Sequence, residues 1–318
     1  MRRSIFWAVI ALVSVLVTGC GGSSGKVPAF TDESKLKVAT SFYPLYEFAK
    51  VVGGDKVEAI NLVPPGTEPH DWEPTAGHIK LMNSAQVFLY NGAGFEHWVE
   101  KTVKSLDTKS LVVVETSKGF ELMEGAHEED DGHGHGKKDD HGEEFDPHIW
   151  IDPLGAIHTV EAIRDAFIQA DSANKAVYEA NAAAQIAKLK ELDDEFRAAL
   201  GQCRTKEIFV SHAAFGYLAH RYGLEQHAIM GLAPDAEPKP KELKRIVDEA
   251  KEHGIKYIFF ETLVSDKVAK VVAKEIGAQT LVLNPFEGLT DEEIKAGKNY
   301  LVVMRENLAN LKTALECK

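Results

Sequence analysis

Ala173-Asn174-Lys175-Ala176-Val177-Tyr178-Glu179-Ala180-Asn181-Ala182-Ala183-Ala184-Gln185-Ile186-Ala187-Lys188-Leu189-Lys190-Glu191-Leu192-Asp193-Asp194-Glu195-Phe196-Arg197-Ala198-Ala199-Leu200 is the stretch that divides the chain. Its apolar residues Val177, Ala180, Ala184, Ile186, Leu189, Leu192, Phe196 and Leu200 recur at largely helical spacing. Gly201 is a plausible stop. A helix this long spans roughly 40 Å at ~1.5 Å per residue. That suits a rigid connector over 173–201 better than a helix inside one lobe.

On either side of it, short apolar runs alternate with helical stretches. Before it, Leu36–Thr40, Val57–Val63, Val87–Tyr90 and Leu111–Glu115 read as strands. Tyr43–Val52, His78–Ser84, Phe95–Ser105 and Gly155–Ala170 read as helices. After it, Glu207–Ser211, Glu225–Met230, Lys256–Glu261 and Gln279–Leu283 read as strands. Ala213–Tyr222, Lys239–His253, Ser265–Ile276 and Asp291–Leu315 read as helices. Alternation of this kind predicts βα units and parallel sheets. The expected fold is α/β, with two lobes over 35–172 and 202–318. Each holds a sheet of about four parallel strands flanked by helices. The elements repeat in pattern without repeating in sequence.

Residues 1–19 are expected to be a signal peptide. Arg2 and Arg3 precede an apolar run, Ile5 to Val17, that is short for a membrane span. Leu16-Val17-Thr18-Gly19-Cys20 resembles a bacterial lipobox, which implies cleavage before Cys20 and lipidation of its sulfur. The Gly/Ser-rich residues that follow make 20–34 a flexible tether to the membrane. Net charge is −13, and loss of Arg2 and Arg3 takes it to −15. Nucleic-acid binding, which needs a basic face, is not expected. Cys203 and Cys317 are the other two cysteines. An exported chain lives where disulfides persist, and a bridge would tie the C-terminus to the start of the second lobe. Two free thiols are the alternative.

In open parallel sheets, ligands bind beyond the carboxyl ends of the strands. His70 follows the second strand, in Pro64-Pro65-Gly66-Thr67-Glu68-Pro69-His70-Asp71-Trp72-Glu73-Pro74, where the prolines imply a fixed loop. His212 directly follows Ile208-Phe209-Val210-Ser211, Glu261 ends Tyr257-Ile258-Phe259-Phe260, and Asn284 follows Thr280-Leu281-Val282-Leu283. His148 sits in the crossover leaving the first lobe, between Pro147 and Trp150. Three imidazoles from two lobes suit Zn²⁺ in near-tetrahedral geometry, with a fourth position for water or a carboxylate. Mn²⁺ and Fe²⁺ favour added carboxylates. Histidines 78, 97, 158, 220, 227 and 253 match no such constellation and read as structural or solvated. The segment 126–144 is polar and acidic and carries His127, His133, His135 and His141. Its composition is that of an unfolded segment, with a bias toward weak, exchangeable metal binding.

These residues resemble the solute-binding lipoproteins of ABC importers for zinc and manganese (the cluster A-I group), and within it the zinc-specific ZnuA-like members. The resemblance rests on Pro65–Pro74, on Asp146-Pro147-His148-Ile149-Trp150-Ile151-Asp152-Pro153, and on Ser211-His212-Ala213-Ala214-Phe215-Gly216-Tyr217-Leu218-Ala219-His220-Arg221-Tyr222-Gly223-Leu224. The His-rich insertion before Asp146 matches too. The resemblance implies two α/β lobes joined by a long helix, and metal-ligand roles for His70, His148 and His212. Many members have Asp where this chain has Asn284, a neutral residue and a poor ligand. The fourth ligand is therefore expected to be water, ahead of Glu68 or Glu261. The resemblance further implies an extracytoplasmic, lipid-anchored binding protein, not an enzyme, with an ABC permease and its ATPase as partners. A monomer is expected. Alternatives are a manganese- or iron-binding member of the family, a zinc hydrolase using the open fourth position, and a surface adhesin with a structural metal.

Overall fold

The computed structural model describes residues 27–125, 145–234 and 238–318. The leader, Cys20 and the histidines at 127, 133, 135 and 141 lie outside the described residues. The first sheet contains β1 (Leu36–Thr40), β2 (Val57–Asn61), β3 (Val87–Tyr90) and β4 (Val112–Glu115), in the order β2-β1-β3-β4. The second contains β5 (Glu207–His212), β6 (Glu225–Met230), β7 (Tyr257–Phe260) and β8 (Gln279–Val282), in the order β6-β5-β7-β8. All pairings are parallel. The apolar runs of the inner strands explain this. Val38, Val87 and Phe88 in one sheet and Ile208, Phe209 and Val210 in the other are fully buried. Near-continuous apolar strands are what a sheet covered on both faces requires.

The covering helices of the first lobe are α1 (Tyr43–Gly53), α2 (Ala76–Ser84), α3 (Val99–Val103) and α4 (Pro153–Ala170). The connector is α5 (Lys175–Leu200). The second lobe adds α6 (Gly216–Tyr222), α7 (Pro240–Glu252), α8 (Lys267–Ile276), α9 (Asp291–Lys295) and α10 (Tyr300–Ala314). Among the described residues, no helix is long and apolar enough to cross a membrane. Helix α5 packs against α4 and α1 on one side and α10 and α6 on the other. Its buried residues are Tyr178, Ala182, Gln185, Leu189, Leu192, Asp193, Phe196 and Leu200. Val177, Ala180 and Ala184 are not among them. In an alanine-rich turn the apolar pattern does not mark the inner face, and the bulk of Tyr178 sets it.

Two predicted helices come out differently. The expected helix over Phe95–Ser105 shrinks to α3. The loop before it runs through three successive left-handed residues, Gly92 (φ 83°), Ala93 (φ 54°) and Gly94 (φ 88°). That loop wraps the buried Glu96 carboxylate, which accepts from the amides of Asn91 (2.7 Å) and Gly92 (3.0 Å) and from Ser41 Oγ (2.5 Å). The expected terminal helix over Asp291–Leu315 divides at Gly297 (φ 77°). Asn299 then caps α10, its side chain accepting from the Val302 amide at 3.1 Å.

One apolar core runs through both lobes, from Val38, Phe48 and Trp150 to Val210, Phe286 and Met304. The Trp150 indole donates to the Pro285 carbonyl (2.8 Å), and Tyr300 Oη donates to the Trp150 carbonyl (2.7 Å). Cys203 and Cys317 form a disulfide that fastens the last turn to the entrance of the second lobe.

Candidate metal centre

The carboxyl ends of both sheets meet at the lobe boundary, and four side chains converge there. His70 comes from the loop after β2, His148 from the crossover after β4, His212 from the last residue of β5, and Glu287 from the loop after β8. All four are buried. Glu287 Oε1 lies 3.4 Å from His70 Nε2, 3.3 Å from His148 Nε2 and 3.2 Å from His212 Nε2. A tetrahedron with metal–ligand bonds of about 2.0–2.1 Å has edges of roughly 3.3–3.4 Å. The three distances from Glu287 match edges of such a tetrahedron, and all four ligand atoms lie within 4.8 Å of one another. The His148 contact is off the direction of a hydrogen bond, so this buried nitrogen has no hydrogen-bond partner. A buried donor left in that state fits a site built for a cation.

Each of the four side chains is aimed by its own support. Asp146 Oδ1 accepts from the His148 amide (2.9 Å) and takes its Nδ1 (2.7 Å), which turns Nε2 inward. Asn91 Nδ2, just beyond β3, donates to the Pro147 carbonyl at 2.9 Å and fixes the turn that carries His148. His212 Nδ1 is held by Glu261 Oε1 at 2.7 Å. The His70 amide donates to Glu68 Oε1 at 3.0 Å, and its ring packs edge-on against Phe95. Asn284 Oδ1 accepts from the Phe286 amide at 2.8 Å, and Phe286 takes a left-handed conformation (φ 58°). This turn delivers Glu287, one residue later, to the cluster.

The carboxylate nearest the three imidazoles is not one that the sequence reading named. Water is expected as fourth ligand, ahead of Glu68 or Glu261, and the structure brings Glu287 to the three histidines instead of either of those two glutamates. Glu261 is spent on His212 Nδ1, Glu68 on backbone amides of its own loop, and the Asn284 side chain on Thr262 and the Phe286 amide. The rule that looks beyond strand ends pointed to the β8 loop but stopped three residues short. Glu287 stands after Pro285, and a charged residue beside a rigid proline turn was the available signal. Cys203 and Cys317 lie away from this cluster, as do Glu207, His227 and His253, which form a separate group.

The electrostatics pair one buried carboxylate with the imidazoles around it. Burial pushes the Glu287 carboxyl up, but the surrounding imidazoles, His212 foremost, hold it well below the usual range. Burial disfavours a charged His148 ring, yet Asp146 and Glu287 outweigh it and raise the ring to about 9. His212 is raised well above its ordinary value against the same burial cost, by Glu261 and Glu287. Burial raises Glu68.

A family model described as "ZnuA: Zinc-uptake complex component A periplasmic" matches residues 38–314. The chain belongs to the ZnuA family. It is 44% identical over 310 residues to the "High-affinity zinc uptake system protein ZnuA" of Bacillus subtilis (strain 168), covering 98% of this chain and 97% of the relative. It is 43% identical over 280 residues to the "Zinc-binding lipoprotein AdcA" of Streptococcus pneumoniae (strain ATCC BAA-255 / R6). That match covers 88% of this chain but 56% of the relative, so the chain spans about half of AdcA. Among solved structures, it is similar to the Zn(II)-bound ZnuA-like domain of S. pneumoniae AdcA. The TM-score is 0.75 at 40% identity, over 89% of this chain and 99% of that one. Membership in the ZnuA family makes the chain a solute-binding protein of zinc uptake, not an enzyme.

Proposed function

We propose that this ZnuA-family protein captures Zn²⁺ between its lobes, on His70, His148, His212 and Glu287, and hands it to an ABC permease driven by its ATPase. One observation carries the ligand set: a single carboxylate oxygen lies 3.2–3.4 Å from three imidazole Nε2 atoms. Three neutral nitrogens and one anionic oxygen suit Zn²⁺ better than Mn²⁺, which favours more oxygen donors. The four protein donors close the shell. A hydrolytic zinc needs an open position for water, and this set leaves none. Cys20 carries the lipid that anchors the mature chain to the outer face of the cytoplasmic membrane, and the chain works as a monomer. The segment 126–144 gathers zinc weakly before transfer.

The test is a competition titration of the demetallated mature protein with Zn²⁺ and Mn²⁺ against a chromophoric chelator. One tight zinc site is expected, with manganese far weaker. His70→Ala, His148→Ala and His212→Ala should each lower zinc affinity by more than about 100-fold, beyond the 10–100-fold typical of outer supports. A tight site that survives all three substitutions would refute the assignment. Deleting 127–144 should remove only weak sites.

A further inference from the structure

We propose that Glu207, His227 and His253 form a second zinc site on the outer face of the second lobe. Their ligand atoms, one from each residue, all lie within 4.8 Å of one another. Three different elements supply them. Glu207 opens β5, His227 is the third residue of β6, and His253 follows the last turn of α7. The rings are not free to drift apart. His227 stacks flat on Phe209 (centroids 4.4 Å apart, 12° between planes), and Phe209 is its direct neighbour across the sheet. His227 Nε2 is 2.5 Å from Glu207 Oε2, and His253 Nδ1 is 3.6 Å from Glu207 Oε1.

The same support seen at the interlobe cage recurs here. His227 Nδ1 is taken by Glu249 Oε1 at 2.9 Å, which aims Nε2 at Glu207. Glu249 is itself steadied by Arg245 Nη1 at 3.0 Å. His253 lies where α7 ends, so the negative end of the helix dipole adds to the carboxylates' pull on a cation. Two imidazoles and a carboxylate are a complete three-donor zinc set, and the half-exposed rim leaves a fourth position to water. His253 is about one-third exposed, which gives an ion direct access from solvent. Glu207 and His212 sit five residues apart on β5, or about 17 Å at ~3.3 Å per residue. The outer site is therefore separate from the interlobe cage, and both accept an ion at once. An ordinary His–Glu ion-pair cluster is the competing account.

Zinc retained after equilibrium dialysis separates the two. Mature wild-type protein, His253→Ala and Glu249→Gln would be held at about 10 μM free Zn²⁺. His253→Ala should retain one ion fewer than wild type, with the tight interlobe affinity unchanged. Glu249→Gln, which removes a positioning residue, should keep the site but weaken it by about 10–100-fold. A zinc-edge anomalous map from crystals grown in excess zinc should show a peak between His227 Nε2, His253 Nδ1 and Glu207. Equal retention by wild type and His253→Ala, or a map with no peak there, would overturn the proposal. The interlobe assignment stands or falls on its own variants.

Discussion

Glu287 is the residue on which the site turns. Its carboxylate faces three imidazoles, so in the proposed cage it serves as fourth ligand and as the charge that offsets them. Glu287→Gln keeps the shape and removes the charge, and zinc affinity should drop at least about 10-fold. Protons compete with zinc for the same nitrogens. In the zinc-free protein His148 is raised to about 9, so its ring carries a proton at pH 7.5, and Glu261 and Glu287 raise His212 as well. Zinc must displace protons from the rings it binds. Calorimetry at pH 7.5 in buffers of different ionisation heat should show net proton release, and zinc affinity should climb as pH rises toward 9. Equal heats in all buffers would contradict this. The linkage to stability has the opposite sign. A ring raised from 6.5 to about 9 stabilises the zinc-free fold fully below pH 6.5 and ceases to do so as pH passes 9. His70 and His148 stood out by the prolines beside them, and His212 by its place at a strand end together with the motif resemblance. Glu287 was missed: Pro285 marks a fixed turn beside it, but the sequence does not show that a left-handed Phe286 turns its carboxylate inward.

At the scale of elements, the ligands depend on how closely α6 approaches the His148 turn. A methyl group at Gly216 would lie 2.5 Å from Asp146 Oδ2, and Asp146 is what orients His148. Gly216→Ala touches no ligand, yet it should weaken zinc binding by about 10–100-fold, as loss of an outer support does. Unchanged affinity in the same chelator competition would show that Asp146 gives way freely. Strands were readable almost to the residue because buried parallel strands are short, apolar and β-branched. Helices were less so where glycine and polar caps decide. Gly297 and Asn299 divide the last helix, and the Gly92–Gly94 turn shortens α3. The apolar spacing of α5 did not mark its inner face over the first turns, because alanine is equally at home on either side.

At the scale of the molecule, the two lobes share one core through Trp150, Phe286 and Tyr300, and α5 packs on both. The repeated strand order was legible only as a rhythm of elements, since no sequence repeat marks it. The continuity of the core depends on long-range contacts that no local pattern encodes. The Cys203–Cys317 bond closes a separation of 114 residues, worth about 5 kcal/mol if it acts on the unfolded chain's entropy. Cys203→Ser should lower Tm by about 10 °C and leave zinc affinity within a few-fold, because the bond lies away from the cage. Zinc should raise Tm in both proteins, since it binds only the folded state. The most direct test of the interlobe cage is a zinc-edge anomalous difference map from crystals of the mature chain loaded with one equivalent of zinc. The account predicts one peak, about 2.0–2.1 Å from the Nε2 atoms of His70, His148 and His212 and from Glu287 Oε1. A peak elsewhere, or one bound by the three histidines with water in place of Glu287, would contradict it.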